Sequence, residues 1–111
     1  MEQINSKQDI INYFEKGCKK ENQLCIGVEH EKFIFDNLTN QRINFETVSK
    51  IFNFLEQFGW KPIKEKDYVI GLSREGQSIT LEPGNQIELS GEKLNSVHLN
   101  CSESYKYLDE L

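Results

Sequence analysis

The chain has 111 residues, a mass of 13.0 kDa and a net charge of −5, from thirteen Lys+Arg against eighteen Asp+Glu. That length gives one domain with a thin core, and the acidic balance argues against a phosphate clamp for nucleic acid and against an anionic membrane surface. No apolar run nears the ~20 residues of a spanning helix, and Met1-Glu2-Gln3-Ile4-Asn5-Ser6 shows no basic cluster leading into an apolar stretch, so a cytoplasmic chain is expected.

Ser6-Lys7-Gln8-Asp9 has the form of a helix start, and Ile10, Ile11, Phe14 and Cys18 follow at near-helical spacing up to Gly17 and a charged run. Leu24 to Phe35 alternates as a strand does. Leu24, Ile26, Val28, His30, Lys32 and Ile34 take one face; Cys25, Gly27, Glu29, Glu31, Phe33 and Phe35 take the other. Phe33 and Phe35 are expected to be buried. A polar turn over residues 36–42 leads to Asn44, a plausible cap for a second helix with the stripe Val48, Ile51, Phe52, Leu55 and Phe58, closed by Gly59 and Pro62. Short strands follow at Trp60 to Lys66, Tyr68 to Ser73, Gln77 to Glu82 and Gln86 to Ser90, with turns at Glu75-Gly76 and Pro83-Gly84-Asn85. Arg74 falls in a turn and is expected to be solvated. Asn95 is read as the cap of a last helix whose Val97, Cys101, Tyr105 and Leu108 share a face, a pattern still running at Leu111. The whole is an α+β unit, an antiparallel or mixed sheet flanked by helices.

Three cysteines without a Cys-x-x-Cys or paired Cys/His spacing read as reduced thiols, not as a zinc site. Cys101 is expected in the core, His30 as a satisfied structural histidine, and His98 as a packing or capping group. The acidic excess is glutamate, 14 Glu against 4 Asp, so its placement matters. Glu29 and Glu31 share one strand face with α-carbons roughly 6.5 Å apart. Two like charges on a partly apolar face ask for a cation, and hard Mg²⁺ prefers carboxylate oxygen. Glu82 and Glu88 share parity across the three-residue break at 83–85, on the polar side of a hairpin whose Ile79, Leu81, Ile87 and Leu89 are apolar. The two pairs could meet on one sheet surface and hold Mg²⁺; the plainer reading, solvated carboxylates, stands beside it. The chain has no phosphate-cradling Gly-x-Gly-x-x-Gly and no Walker loop, so a nucleotide site would be of another type.

Gly27-Val28-Glu29-His30-Glu31-Lys32-Phe33-Ile34-Phe35 resembles the first signature of glutamate–cysteine ligase, in the branch shared by plants and many proteobacteria. Ile70-Gly71-Leu72 fits the next segment. The stretch Gln77-Ser78-Ile79-Thr80-Leu81-Glu82-Pro83-Gly84-Asn85-Gln86-Ile87-Glu88-Leu89-Ser90-Gly91 resembles the second signature, and Leu94, His98 and Cys101 fall at family positions in the next helix. The likeness runs from about Leu24 to Tyr105. The family usually has a second glycine where this chain has Asn85, a residue that tolerates left-handed backbone.

The resemblance implies the first step of glutathione synthesis. ATP phosphorylates the γ-carboxylate of L-glutamate, the amine of L-cysteine attacks the acyl phosphate, and γ-glutamylcysteine, ADP and phosphate leave. It implies part of a glutamine-synthetase-like fold, an antiparallel sheet forming a funnel with Mg²⁺ at its floor. Glu29, Glu31, Glu82 and Glu88 are the implied metal ligands, ATP is the co-substrate, and no nucleophilic side chain is implied. Cys101 matches a family cysteine tied to redox control. Family members are several times longer, so residues 1–111 are expected to be an N-terminal part of the catalytic domain, inactive alone. The alternatives are a related carboxylate–amine ligase, or a non-catalytic or split-enzyme piece that binds Mg²⁺ or a complementing C-terminal chain.

Overall fold

The computed structural model describes residues 3–111; Met1 and Glu2, the start of the segment searched for a targeting pattern, lie outside the described residues. Its helices are α1 (Lys7–Gly17), α2 (Phe45–Leu55) and α3 (Val97–Glu110). Its strands are β1 (Glu29–Phe33), β2 (Lys61–Glu65), β3 (Tyr68–Arg74), β4 (Gln77–Glu82) and β5 (Gln86–Ser90). They form one antiparallel sheet in the order β1-β5-β4-β3-β2, so the antiparallel form of the expected α+β architecture is the one found.

Local chemistry sets the elements. Ser6 Oγ accepts the Asp9 amide at 3.2 Å and Asn44 Oδ1 accepts the Thr47 amide at 3.0 Å, each satisfying a donor that a helix start leaves open. Gly59, at φ 87°, closes the turn of 3₁₀ helix that extends α2. β4 and β5 occupy the expected residues, and β3 runs one residue further, to Arg74. The first strand is shorter than expected: beyond Glu29–Phe33 the chain stays extended only through bridges from Ile26 to Leu94 and from Phe35 to Arg42.

The core lies on one side of the sheet. Val48, Phe52 and Leu55 of α2 pack with Trp60, with Leu72, Ile79, Ile87 and Leu89 of the strands, and with Tyr107 of α3. Each such side chain contributes about 1.5–3 kcal/mol by leaving water. No described residue of α1 is buried, and its apolar stripe of Ile10, Ile11 and Phe14 stays exposed. The radius of gyration is 18.0 Å, against about 13 Å for a compact chain of this length. The accessible surface is 8581 Å², against roughly 6,300 Å². Among the described residues no helix is long and apolar enough to cross a membrane.

α3 turns the other way from its apolar pattern. Its cap is Ser96, not Asn95, and its buried residues are Asn100, Glu103, Tyr107 and Glu110, while Val97, Cys101, Tyr105 and Leu108 are exposed. The inward polar groups are held by specific partners. Asn100 Nδ2 donates to Ile26 O at 3.3 Å, and Glu103 Oε1 accepts the Glu92 amide at 2.8 Å. Glu110 accepts from Trp60 Nε1 at 2.9 Å and from Arg74 Nη1 at 2.8 Å. Arg74 is thus not solvated: its side chain is 8% exposed, stacked over the Trp60 ring at 4.1 Å.

Candidate functional site

The face opposite α2 and α3 carries the glutamates. Antiparallel partners point to the same side of a sheet, so the register reads as rows. Glu31 stands across from Glu88, Glu88 from Thr80, and Thr80 from Gly71. The row on one side is Glu29, Ser90, Ser78 and Ser73; the row on the other is Phe33, Gln86 and Glu82. Glu88 is therefore the hub, directly opposite Glu31 and diagonal to both Glu29 and Glu82, at roughly 7–8 Å for diagonal neighbours. Glu82 and Glu88 share this face because the 83–85 turn holds an odd number of residues.

That turn depends on two left-handed positions, Gly84 at φ 74° and Asn85 at φ 60°. Asn85 adopts the conformation without a glycine there, and its Nδ2 donates to Ile43 O at 3.0 Å. A Cβ on Gly84 would come within 2.7 Å of Arg42 Nη2, and that guanidinium donates to Gly84 O.

The carboxylates sit among hydroxyl and amide groups. Thr80 Oγ1 donates to Glu82 Oε1 at 3.1 Å, Ser90 Oγ to Glu88 Oε1 at 3.0 Å, and Gln86 Nε2 to Glu31 Oε2 at 3.4 Å. No lysine or arginine among the described residues pairs with any of the four; the ion pairs Lys50–Glu46 and Arg74–Glu110 lie elsewhere. The donor set is all hard oxygen, the kind that suits Mg²⁺ and not a soft metal. As the side chains stand, no three His, Cys, Asp or Glu among the described residues are close enough to hold one ion. The backbone brings the four to one face, and the side chains do not converge to a point.

Phe33 and Phe35 are 51% and 54% exposed, not buried, because among the described residues no helix or second sheet packs on this face. Arg42 lies over Phe33, its guanidinium 4.3 Å from the ring centre. His30 faces the helices as expected. Its Nε2 meets Lys32 Nζ at 2.7 Å and its ring packs edge-on to Tyr107 at 6.2 Å. Burial lowers the pKa of Lys32 and raises that of the Tyr107 hydroxyl. His98 is exposed, and it caps nothing with its ring; its amide donates to Ser96 Oγ at 3.3 Å. Cys101 is exposed, not a core residue, and all three cysteines are free thiols.

The polar groups that reading the sequence missed are Arg74, Trp60 and Glu110. A signal existed, since Arg74 has the parity of Leu72 and so belongs to the helix side once β3 is extended by one residue.

Residues 25–111 match the model of Glutamate-cysteine ligase family 2 (GCS2). The chain is 42% identical over 104 residues to "Glutamate--cysteine ligase, chloroplastic" of Medicago truncatula, covering 93% of this chain and 20% of that protein. With the Arabidopsis thaliana protein of the same name the figures are 39%, 93% and 20%, and with "Glutamate--cysteine ligase A, chloroplastic" of Oryza sativa subsp. japonica 43%, 93% and 21%. The chain thus spans about a fifth of the length of these curated relatives. Their names also overturn the cytoplasmic expectation: it rested on a missing pattern at one chain start, and the matching plant proteins are chloroplastic.

Proposed function

This chain belongs to glutamate–cysteine ligase family 2, and on that premise we propose that it forms one wall of an ATP-dependent ligase site joining the γ-carboxylate of glutamate to the amine of cysteine. The observation that carries the reading is the shared, uncovered face of Glu29, Glu31, Glu82 and Glu88, none of them neutralised by a lysine or arginine. Glu88 and Glu31 would hold Mg²⁺ first, being directly opposite, with Glu29 and Glu82 flanking. When bound, the metal offsets triphosphate charge and orients the phosphoryl group that passes to the γ-carboxylate.

The chain's own contribution is position. Two-sided pairing of β5 between β1 and β4 fixes the spacing of the carboxylate rows. Ser90, Thr80 and Gln86 each occupy one lone pair of a glutamate and so limit its rotamers. The helix-backed core beneath makes the floor rigid, as a preorganised electrostatic site requires. The grip on the glutamate carboxylate and on the nucleotide base falls outside these residues.

Titration calorimetry with MgCl₂ and MgATP on the chain, Glu31→Gln and Glu88→Gln tests the reading. Weaker Mg²⁺ binding by at least about tenfold in each variant is expected, in line with the loss of a metal-directed group. Equal affinity in all three overturns the assignment. The chain mixed with ATP, Mg²⁺, glutamate and cysteine is expected to give no turnover, and turnover would refute the view that it is one wall of a larger site.

A further inference from the structure

An arginine is built into the glutamate face. The loop over residues 36–42 folds back beside β1: the Asp36 amide donates to Gln41 O at 2.9 Å, and the Ile43 amide donates to Ile34 O at 3.1 Å. Between these bonds Arg42 bridges Phe35 in antiparallel fashion. Paired residues point to one side of a ladder, so Arg42 joins Phe35, Phe33, Glu31 and Glu29 on one face. Asn85 Nδ2, bonded to Ile43 O at 3.0 Å, ties the end of this loop to the 83–85 turn.

The guanidinium is pinned twice. It stacks over the Phe33 ring and donates through Nη2 to Gly84 O. Among the described residues it has no other side-chain partner and no carboxylate takes it, although Glu82 and Gln86 stand in the row that begins with Phe33. Arginine carries a rigid fork of several N–H donors, so most of this one stays open. An aromatic ring and a carbonyl fix its orientation before any ligand arrives, and so remove rotamer freedom that a loose arginine would lose on binding.

Its place relative to the carboxylates selects the ligand. Phe33 lies two residues along β1 from Glu31, roughly 6.5 Å away, and Gln86 bears the same relation to Glu88 on β5. An anion drawn to the Glu31–Glu88 pair through a divalent cation has the fork of Arg42 as its neighbour. A carboxylate presents two oxygens along one edge, whereas a phosphoryl group spreads its terminal oxygens around phosphorus and is suited to both partners at once. Lys61 shares this face through its pairing with Ser73, but it stands on β2, at the far edge of the sheet. We infer that Arg42 binds the polyphosphate of the nucleotide, at the end of the glutamate face closed by the 83–85 turn. The identity of the ligand rests on the ligase reading; the placement of the guanidinium does not.

Calorimetric titration tests it, with inorganic tripolyphosphate as its magnesium complex, MgCl₂ alone and L-glutamate as probes, on the chain, Arg42→Gln, Arg42→Lys, Lys61→Gln and Glu31→Gln. Arg42→Gln keeps a donor for Gly84 O and loses the charge. It is expected to bind tripolyphosphate at least about tenfold more weakly, with MgCl₂ binding and Tm unchanged. Arg42→Lys, which keeps the charge without the fork, is expected to recover only part of the loss, and Lys61→Gln to match the parent. Equal tripolyphosphate affinity in the parent and Arg42→Gln, an equal loss in Lys61→Gln, or weakened MgCl₂ binding in Arg42→Gln overturns the inference. So does an effect on glutamate in place of tripolyphosphate, or a parent chain that binds no tripolyphosphate. The two readings fail separately: unchanged MgCl₂ binding in Glu31→Gln overturns the metal assignment, while the tripolyphosphate titration alone decides Arg42.

Discussion

Replacing Glu110 by alanine removes the acceptor of two buried donors at once. Arg74 and Glu110 side chains are each 8% exposed, 2.8 Å apart, and Trp60 Nε1 donates to the other carboxylate oxygen at 2.9 Å. Arg74 keeps a bond to Phe58 O at 2.9 Å, but its Nε has no partner even in the intact chain. Removing one member of a buried pair leaves an uncompensated charge, a loss of about 3 kcal/mol. For 111 residues the unfolding entropy is roughly 0.23 kcal/mol per degree, so Tm falls by about 13 °C in a calorimetric melt at pH 7. The double change Arg74→Met with Glu110→Met removes both charges and keeps the volume, and is expected to melt near the parent or above it. A loss below about 1 kcal/mol for Glu110→Ala, the range of a solvated pair, would refute the reasoning. The pair also has a pH signature. Burial alone would raise the Glu110 pKa; hydrogen bonds from Arg74 and Trp60, then the charges of Arg74 and Lys106, outweigh it and hold the group below its ordinary 4.5. A depressed folded pKa means the stabilisation is complete above the unfolded value and is lost as pH falls through the folded one. Glu110→Gln therefore flattens the acid limb of a pH–Tm profile.

The other expectations are shorter. Asn44→Ala removes the cap of α2, which carries Val48, Phe52 and Leu55, and lowers Tm by about 4 °C for a loss near 1 kcal/mol; Ser6→Ala frays α1 in circular dichroism and leaves the main melt unmoved. Gly71→Ala places a Cβ 2.7 Å from Ile79 O, a backbone atom that cannot step aside, and is expected to lose about 1–3 kcal/mol by denaturant titration. Glu31→Gln relieves the charge facing Glu88 and raises metal-free stability by about 0.5 kcal/mol, measured by urea melts, while weakening Mg²⁺ binding.

How much was legible follows the physics of each element. Strict alternation bounded by Glu75-Gly76 and Pro83-Gly84-Asn85 made β4 and β5 readable to the residue, and with them the shared parity of Glu82 and Glu88. The Asn44 cap and the Val48, Phe52, Leu55 stripe did the same for α2. α3 was found, but on the wrong face, because periodicity registers apolarity and not partners. The groups that pull Asn100, Glu103 and Glu110 inward are the Ile26 carbonyl, the Glu92 amide and Arg74, which only the tertiary structure brings near. Phe33 and Phe35 were expected inside on hydrophobicity alone, and no local pattern tells whether another layer covers a strand. The four carboxylates were legible as one face; the rotamers of Glu82, Glu88 and Glu31, bent toward Thr80, Ser90 and Gln86, were not.

The order of the strands has a kinetic consequence. β2 through β5 form a meander closed by short turns, so each pairing joins neighbours in the chain, whereas β1 reaches β5 only across the intervening helix and three strands. Loop closure makes distant pairings slow, so the meander with α2 is expected to form the nucleus and β1 to add after the barrier. Ile79→Val should slow refolding, and a truncation on β1 should mainly speed unfolding. Half of the acidic surface would then come into being last, on a floor already set.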